Sequence, residues 1–314
     1  MTAMIQVENL TRRYGDLVAA EDVSFSIQRG EIVGLLGHNG AGKTTVMKML
    51  TGFLEPTAGR VCIDGLTLAD DSRRAIQARI GYLPENCPVW PEMTVIDYLD
   101  YLAALHQIGG AQRPQAIARA IARARLVEKA RAQIATLSRG YRQRVGVAQA
   151  ILHRPDIVIL DEPTNGLDPQ QIREMRGLIR ELAQEATVIV SSHILQEVQA
   201  VCERVLIMNR GRLVLDSRLD ALRAGQRLLL SVAGDAEAAL SAVAGVRAVT
   251  LLGQREAIRN YAVDADEALA PALAAAVHAA GLPLCALSAE RRDLETVFAE
   301  VTGAAPAQEV AHAA

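Results

Sequence analysis

The chain has 314 residues, half of them apolar, a formal net charge of −3 and only 3% aromatic residues. That apolar share with so little net charge excludes general disorder, and the length supplies material for one large domain and a smaller one. It also argues against a strongly basic nucleic-acid binder, because phosphate neutralisation needs a local excess of cations; no nucleic-acid partner is expected.

The N-terminal stretch reaches Glu8 without an apolar signal core. Glu31 to Leu36 is a short apolar run that predicts a strand, followed by a helix over Lys43 to Leu50. From Thr94 to Arg154 strand signals vanish, which predicts a helical insert over about 90–155. Ile157-Val158-Ile159-Leu160 and Thr187-Val188-Ile189-Val190 are apolar at almost every position, as strands covered on both faces are. Between them Gln171 to Gln184 places Ile172, Met175, Leu178, Ile179 and Leu182 on one helical face, and a further helix is predicted over Ile194 to Val201. Leu206 to Met208 and Leu213 to Leu215 read as a hairpin. This alternation predicts an α/β domain with a largely parallel sheet over residues 1–224.

Beyond Gly225 the composition changes. The last 90 residues hold 27 alanines and carry 6 Arg against 11 Asp and Glu, a net of −5, whereas the first 224 residues are at +2. The pattern strand, helix, strand, strand, helix, strand over 225–303 predicts a small α+β ferredoxin-like domain, closed by a helix from Asp293 to Val301 and a disordered tail over 304–314. Ala268 to Ala289 has no formal charge over 22 positions, but Pro271 and Gly281-Leu282-Pro283 divide it into a helix and a strand, so no membrane span is expected. Cys62, Cys87, Cys202 and Cys285 are too scattered for a zinc site or a disulfide framework.

The chemistry lies in two segments. Gly37-His38-Asn39-Gly40-Ala41-Gly42-Lys43-Thr44-Thr45 fits G-x-x-x-x-G-K-[ST] between a strand and a helix. Such glycines let consecutive N–H groups turn around a polyphosphate at the positive end of a helix. Lys43 is expected to reach the β/γ-phosphates and the Thr44 hydroxyl to bind Mg²⁺. Lysine here is informative, since only Lys43, Lys48 and Lys129 are lysine among 33 basic residues. In the second segment Asp161 and Glu162 stand at the mouth of a buried strand: Asp161 is expected in the Mg²⁺ shell and Glu162 to polarise the attacking water. Together these point to hydrolysis of ATP or GTP.

Residues 5 to 220 resemble the nucleotide-binding subunit of an ATP-binding cassette (ABC) transporter. Leu137-Ser138-Arg139-Gly140-Tyr141-Arg142-Gln143-Arg144 is similar to the family signature, usually LSGGQ, and begins 24 residues before Asp161. Asn165-Gly166-Leu167-Asp168 resembles the D-loop, His193 the switch histidine at the γ-phosphate, and Tyr14 the aromatic stacked on adenine. The resemblance implies ATP as substrate and a second ATPase subunit, as a homodimer, because the signature (Ser138, Arg139, Gly140, Tyr141) serves the phosphate held by the partner. It also implies an integral membrane permease as a separate chain and a peripheral place on the cytoplasmic face of the cell membrane. Two departures stand out. Glu85 occupies the usual place of the Q-loop glutamine, where it could still ligate the metal, and the signature reads Ser-Arg-Gly-Tyr. Arg139 either supplies a cation to the partner's phosphate or is a solvated arginine.

In the family, Leu83 to Leu105 is part of the groove for a permease coupling helix; Trp90 either lines that groove or packs the insert's own core. Leu294 to Gly303 resembles the closing motif of exporter ATPases with separate permeases, with the signature run closest to the gliding-motility and copper-enzyme-maturation branch. The competing class is a soluble ABC ATPase without a transport role.

Overall fold

The computed structural model describes residues 3–223, 227–289 and 294–303; the tail expected over 304–314 lies outside them. Contacts divide the chain into two units, Met1–Arg218 and Leu219–Ala314.

In the first unit β1 (Ile5–Tyr14) and β2 (Leu17–Ile27) form an antiparallel pair, and β3 (Ile32–Leu36) leads into α1 (Lys43–Leu50). Then follow β4 (Ala58–Ile63), β5 (Leu66–Thr67), α2 (Arg73–Gln77) and β6 (Ile80–Leu83). The insert holds α3 (Val95–Leu105), α4 (Arg113–Arg123) and α5 (Arg139–Ile151). The unit ends with β7 (Ile157–Asp161), α6 (Pro169–Ala183), β8 (Thr187–Ser192), α7 (Leu195–Val201), β9 (Arg204–Asn209) and β10 (Arg212–Arg218).

Two sheets result. The larger has the order β10-β9-β3-β8-β7-β6, parallel except for β10. Every residue of β3, β7 and β8 is buried, which is why these strands read as continuous apolar runs. The smaller sheet, β2-β1-β4-β5, was not among the sequence expectations. Its alternation is broken by register shifts between Val7 and Leu10, where Asn9 takes a φ of 48°. Both sheets share one core, in which α1 buries Val46, Met47, Met49 and Leu50 alongside Ile5, Val7, Val33 and Ile159. Helix α1 is thereby fixed at the C-terminal end of β3, the end at which α/β sheets bind ligands.

Helix α6 begins earlier than its apolar face suggested. The Asp168 carboxylate accepts from the N–H groups of Gln170 and Gln171, and Pro169 opens the helix without needing a donor. In the insert Thr94 caps α3, and the Tyr98 hydroxyl donates to Gln149 Oε1 at 2.6 Å, joining α3 to α5. Trp90 is not in that core: it is half exposed, with its ring 4.7 Å from that of Tyr101.

The second unit contains α8 (Leu219–Arg223), β11 (Arg227–Ala233), α9 (Glu237–Ser241), β12 (Ala248–Arg255) and β13 (Ile258–Asp264). It continues with α10 (Ala270–Ala279), β14 (Leu284–Ala289) and α11 (Leu294–Thr302). The sheet order β12-β13-β11-β14, with every neighbouring pair antiparallel, is the ferredoxin-like arrangement. Its core gathers Leu228, Leu230, Val232, Leu240, Tyr261, Val263, Leu273 and Val277. The uncharged stretch from Ala268 divides as its prolines and glycine required, with Pro271 in the first turn of α10. Among the described residues no helix is long and apolar enough to cross a membrane, and all four cysteines are free thiols.

Candidate functional site

The loop between β3 and α1 turns where only small residues fit. Gly42 has a φ of 102°, and a Cβ there would come within 2.5 Å of the Ala19 carbonyl oxygen. The loop delivers Lys43 as the first residue of α1. Its ammonium is nearly buried and donates to the carbonyls of Gly37 at 2.7 Å and His38 at 3.4 Å. It also stands 3.6 Å from Glu162 Oε1. Thr44 follows, and its hydroxyl donates to Asp161 Oδ2 at 3.0 Å across from the end of β7.

Asp161 and Glu162 are 1% and 5% exposed, a costly place for two carboxylates unless the site compensates them. Burial pushes the Asp161 carboxyl above its usual range, against hydrogen bonds from Ser191 and Thr44 that pull it down. Burial raises Glu162 likewise, opposed by His193 and Lys43. Glu162 has a φ of 49°, a left-handed conformation that costs a residue with a side chain about 1–3 kcal/mol. The turn is held by Ser191, whose Oγ accepts from the Glu162 N–H at 3.0 Å and donates to Asp161 Oδ1 at 2.6 Å. The strain aims one Glu162 oxygen at His193 Nδ1, 2.9 Å away, while Oε1 has no hydrogen bond and faces Lys43.

Around these groups lies a cleft of about 480 Å³, lined by Tyr14, Leu17, the loop residues His38, Asn39, Gly40, Ala41, Gly42, Lys43, Thr44 and Thr45, and by Glu85, Asp161 and Glu162. It combines backbone N–H groups and one ammonium for an anion with a buried carboxylate and hydroxyl for a hard cation. The oxygen donors Thr44 and Asp161, with Glu85 on the same wall, fit Mg²⁺, which takes few protein ligands and fills its shell with phosphate and water. Tyr14 is half exposed, with the Arg12 guanidinium 4.6 Å from its ring centre.

The signature residues lie elsewhere. Ser138 caps α5, accepting from the Tyr141 N–H. Gly140 packs so closely on Gln171 that a Cβ would stand 2.4 Å from its Oε1. The Arg139 guanidinium rests on the backbone of Gly166, and Tyr141 lies between Lys129 and Arg144. Arg139 borders a small pocket of about 290 Å³, Gly140 and Tyr141 border another of about 230 Å³, and none of the four lines the cleft. Asp168 borders the second, its Oδ1 engaged in capping α6. A larger groove of about 740 Å³, bordered by Phe53, Tyr82, Pro84, Pro88 and His153, also touches Tyr14.

Residue-by-residue reading of the sequence passed over Ser191, Thr164, Ser192 and Glu197. Glu197 is nearly buried and accepts hydrogen bonds from the Thr164 and Ser192 hydroxyls. The available signal was the pair of serines closing an otherwise apolar strand at residues 187–192.

The ABC transporter family model matches residues 20–165. The bacitracin transport ATP-binding protein BcrA of Bacillus licheniformis is 35% identical over 268 residues, covering 85% of this chain and 84% of the relative. The linearmycin resistance ATP-binding protein LnrL of Bacillus subtilis is 29% identical over 307 residues, covering 96% and 98%. Among solved structures, the dimeric bacterial ABC transporter cassette MJ0796 superposes with a TM-score of 0.64 at 27% identity, over 69% of this chain and 99% of that one. A phosphate loop in register with a buried acidic pair, on a cassette fold shared at these levels of identity, leaves one conclusion: the chain belongs to the ATP-binding proteins of the ABC transporter family, and it is an ATPase.

Proposed function

We propose that this ATPase powers an exporter whose permease is a separate membrane chain, and that it works as a homodimer on the cytoplasmic face of the cell membrane. The observation that carries the reading is the separation of the two halves of the site. Phosphate loop and acidic pair line one cleft, with His193 held against Glu162, while Ser138, Arg139, Gly140 and Tyr141 present a capped helix N-terminus elsewhere. A second copy, offering its α5 terminus to the γ-phosphate in this cleft, would complete each site. The relatives named for bacitracin transport and linearmycin resistance favour export of a drug-like substrate, and the groove beside Phe53 and Tyr82 suits a short apolar helix of the permease.

Within the site, Tyr14 stacks on adenine, and residues 37–45 cradle the phosphates. Lys43 exchanges the Gly37 and His38 carbonyls for phosphate oxygens. Thr44, Asp161 and Glu85 hold Mg²⁺, which neutralises phosphate charge when bound. Glu162 takes the proton of the attacking water, its carboxylate oriented by His193 Nδ1. Asp168 tethers the D-loop to α6.

Two measurements test the proposal. ATPase activity per mole of the isolated chain rises cooperatively with protein concentration; a flat, high value across a wide dilution series overturns the shared site. Co-expression with a permease from a neighbouring gene that encodes about six hydrophobic spans yields a membrane complex whose ATPase responds to transported compounds; absence of such a gene, or failure to co-purify, overturns the exporter.

A further inference from the structure

The contact between Glu162 and His193 is braced by a third residue. Ser191 and Ser192 close β8 with side chains on opposite faces of the sheet. Ser191 serves Asp161 and the Glu162 N–H. Ser192 serves Glu197: its Oγ accepts from the Ile194 N–H at 3.0 Å and donates to Glu197 Oε2 at 3.3 Å. The same carboxylate oxygen accepts from the Thr164 hydroxyl. Thr164 lies two residues after Glu162, in a chain reversal where the Asn165 N–H donates to the Glu162 carbonyl and the Leu167 N–H to the Thr164 carbonyl, both at 3.1 Å. Ser192 lies one residue before His193. One oxygen of Glu197 therefore ties the backbone that carries Glu162 to the backbone that carries His193, whose side chains meet at 2.9 Å. Glu197 is itself held firmly. It stands in the first turn of α7 beside Val198, and a Cβ on Gly34 would lie 2.3 Å from Val198 Cγ1, so α7 rests directly on β3, the strand that leads into the phosphate loop.

Thr164, Ser192 and Glu197 are all buried. A carboxylate in such a place costs more than an apolar side chain of the same volume. Asp161 and Glu162 are buried where they line the cleft, but Glu197 does not line it, so nucleotide and metal do not account for its burial. We propose that Glu197 is a positioning residue for hydrolysis: through Thr164 and Ser192 it fixes Glu162 against His193 and so the direction in which Glu162 faces the attacking water. Glu162 needs such a hold because its φ of 49° is strained. Ser191 supplies one on the side of the acidic pair, and Glu197 supplies the other. This rests on Glu162 as the base and adds what keeps that base aimed.

The test uses the full chain, with steady-state ATPase measured beside equilibrium binding of MgATP. Glu197→Met keeps the volume and removes the acceptor. Its kcat falls about tenfold to a hundredfold, while KM and the half-saturation of binding stay within about twofold, as expected when only the geometry of the chemical step is lost. Glu197→Gln, whose amide oxygen can accept from both hydroxyls, recovers kcat to within about threefold of the parent. Thr164→Val removes one hydroxyl at nearly constant shape and lowers kcat about three- to tenfold at unchanged KM, a result that needs no Glu197 variant to fold. Added to Glu197→Met, or to Glu162→Gln, it changes kcat by less than about twofold, because the three residues act through one path. Any of three results overturns the proposal: Thr164→Val at the parent rate, Glu197→Gln as impaired as Glu197→Met, or KM rising as kcat falls. Full multiplication of the Thr164→Val effect in the Glu162→Gln background overturns it too. A Glu162→Gln chain that turns over at near the parent rate overturns instead the role of Glu162 as base.

Discussion

The two units bury different things. In the first, Lys43, Asp161, Glu162 and Glu197 lie almost entirely out of water, alongside Thr164, Ser191 and Ser192. In the second, every buried side chain among the described residues is apolar except that of Tyr261, whose hydroxyl accepts from the Ala236 N–H and donates to Asp235. Burying ionisable groups is unfavourable unless something compensates them. On the proposed function, the first unit keeps stability in reserve for a triphosphate and a cation, while the second keeps an apolar core. Charge balance points the same way only weakly: the described Asp and Glu side chains beyond Gly225 are exposed or half-buried around an apolar core.

The largest expected effect tests whether chemistry is confined to the first unit. Glu162→Gln removes the proposed proton acceptor and leaves a group of the same shape, so turnover falls about 10²–10⁴-fold, while ATP binding, followed by equilibrium titration, stays within a few fold. A variant hydrolysing ATP at near the parent rate would remove Glu162 from the role of base and leave the comparison without its chemical half.

The second prediction acts on the scaffold. Leu230 is 1% exposed in the core of the ferredoxin-like unit, and Leu230→Ala costs about 2–5 kcal/mol there. Trp90, the single tryptophan, belongs to the first unit and reports its melting. The part of the far-UV circular dichroism transition owed to the second unit is expected at lower temperature, with the Trp90 transition unchanged. Equal shifts in both signals would mean that the units unfold as one cooperative body and that the division drawn here is only one of contacts.

What could be read in advance follows the same division. Strands β3, β7 and β8 were legible because a parallel strand covered on both faces is apolar at almost every position. The phosphate loop was legible because its glycines, lysine and threonine answer one chemical need. The antiparallel sheet of β1, β2, β4 and β5 was not, since bulges at Asn9 and neighbouring positions interrupt the two-residue period that reveals a half-buried strand. Ser191 and Glu197 were missed for a different reason: their importance arises from partners 30 and 33 residues away, Asp161 and Thr164. No local pattern encodes such a pairing. In the second unit the element order was enough, because six short elements of alternating type admit few ways to cover one sheet.

The smallest predicted effect separates the reserve of stability from ordinary packing. The Asp161 carboxyl is raised above its ordinary value of 3.8, with burial as the leading cause. Folded, it holds its proton more readily than the unfolded chain does. Its contribution to stability is therefore complete below the unfolded value and is lost as pH rises through the raised folded one. Asp161→Asn removes that loss and keeps the side chain's shape. An amide can accept from either Ser191 or Thr44 but cannot match a carboxylate on both, so part of the gain is returned. The net expectation, without nucleotide or metal, is a rise of a few degrees in the Trp90-detected melting temperature at pH 8. That rise shrinks toward zero as pH falls into the range where Asp161 is protonated. With Asp161 as the proposed ligand of the bound cation, saturating MgATP reverses the order, because the parent alone retains that carboxylate. A gain independent of pH would show that Asp161 is limited by packing and not by its charge.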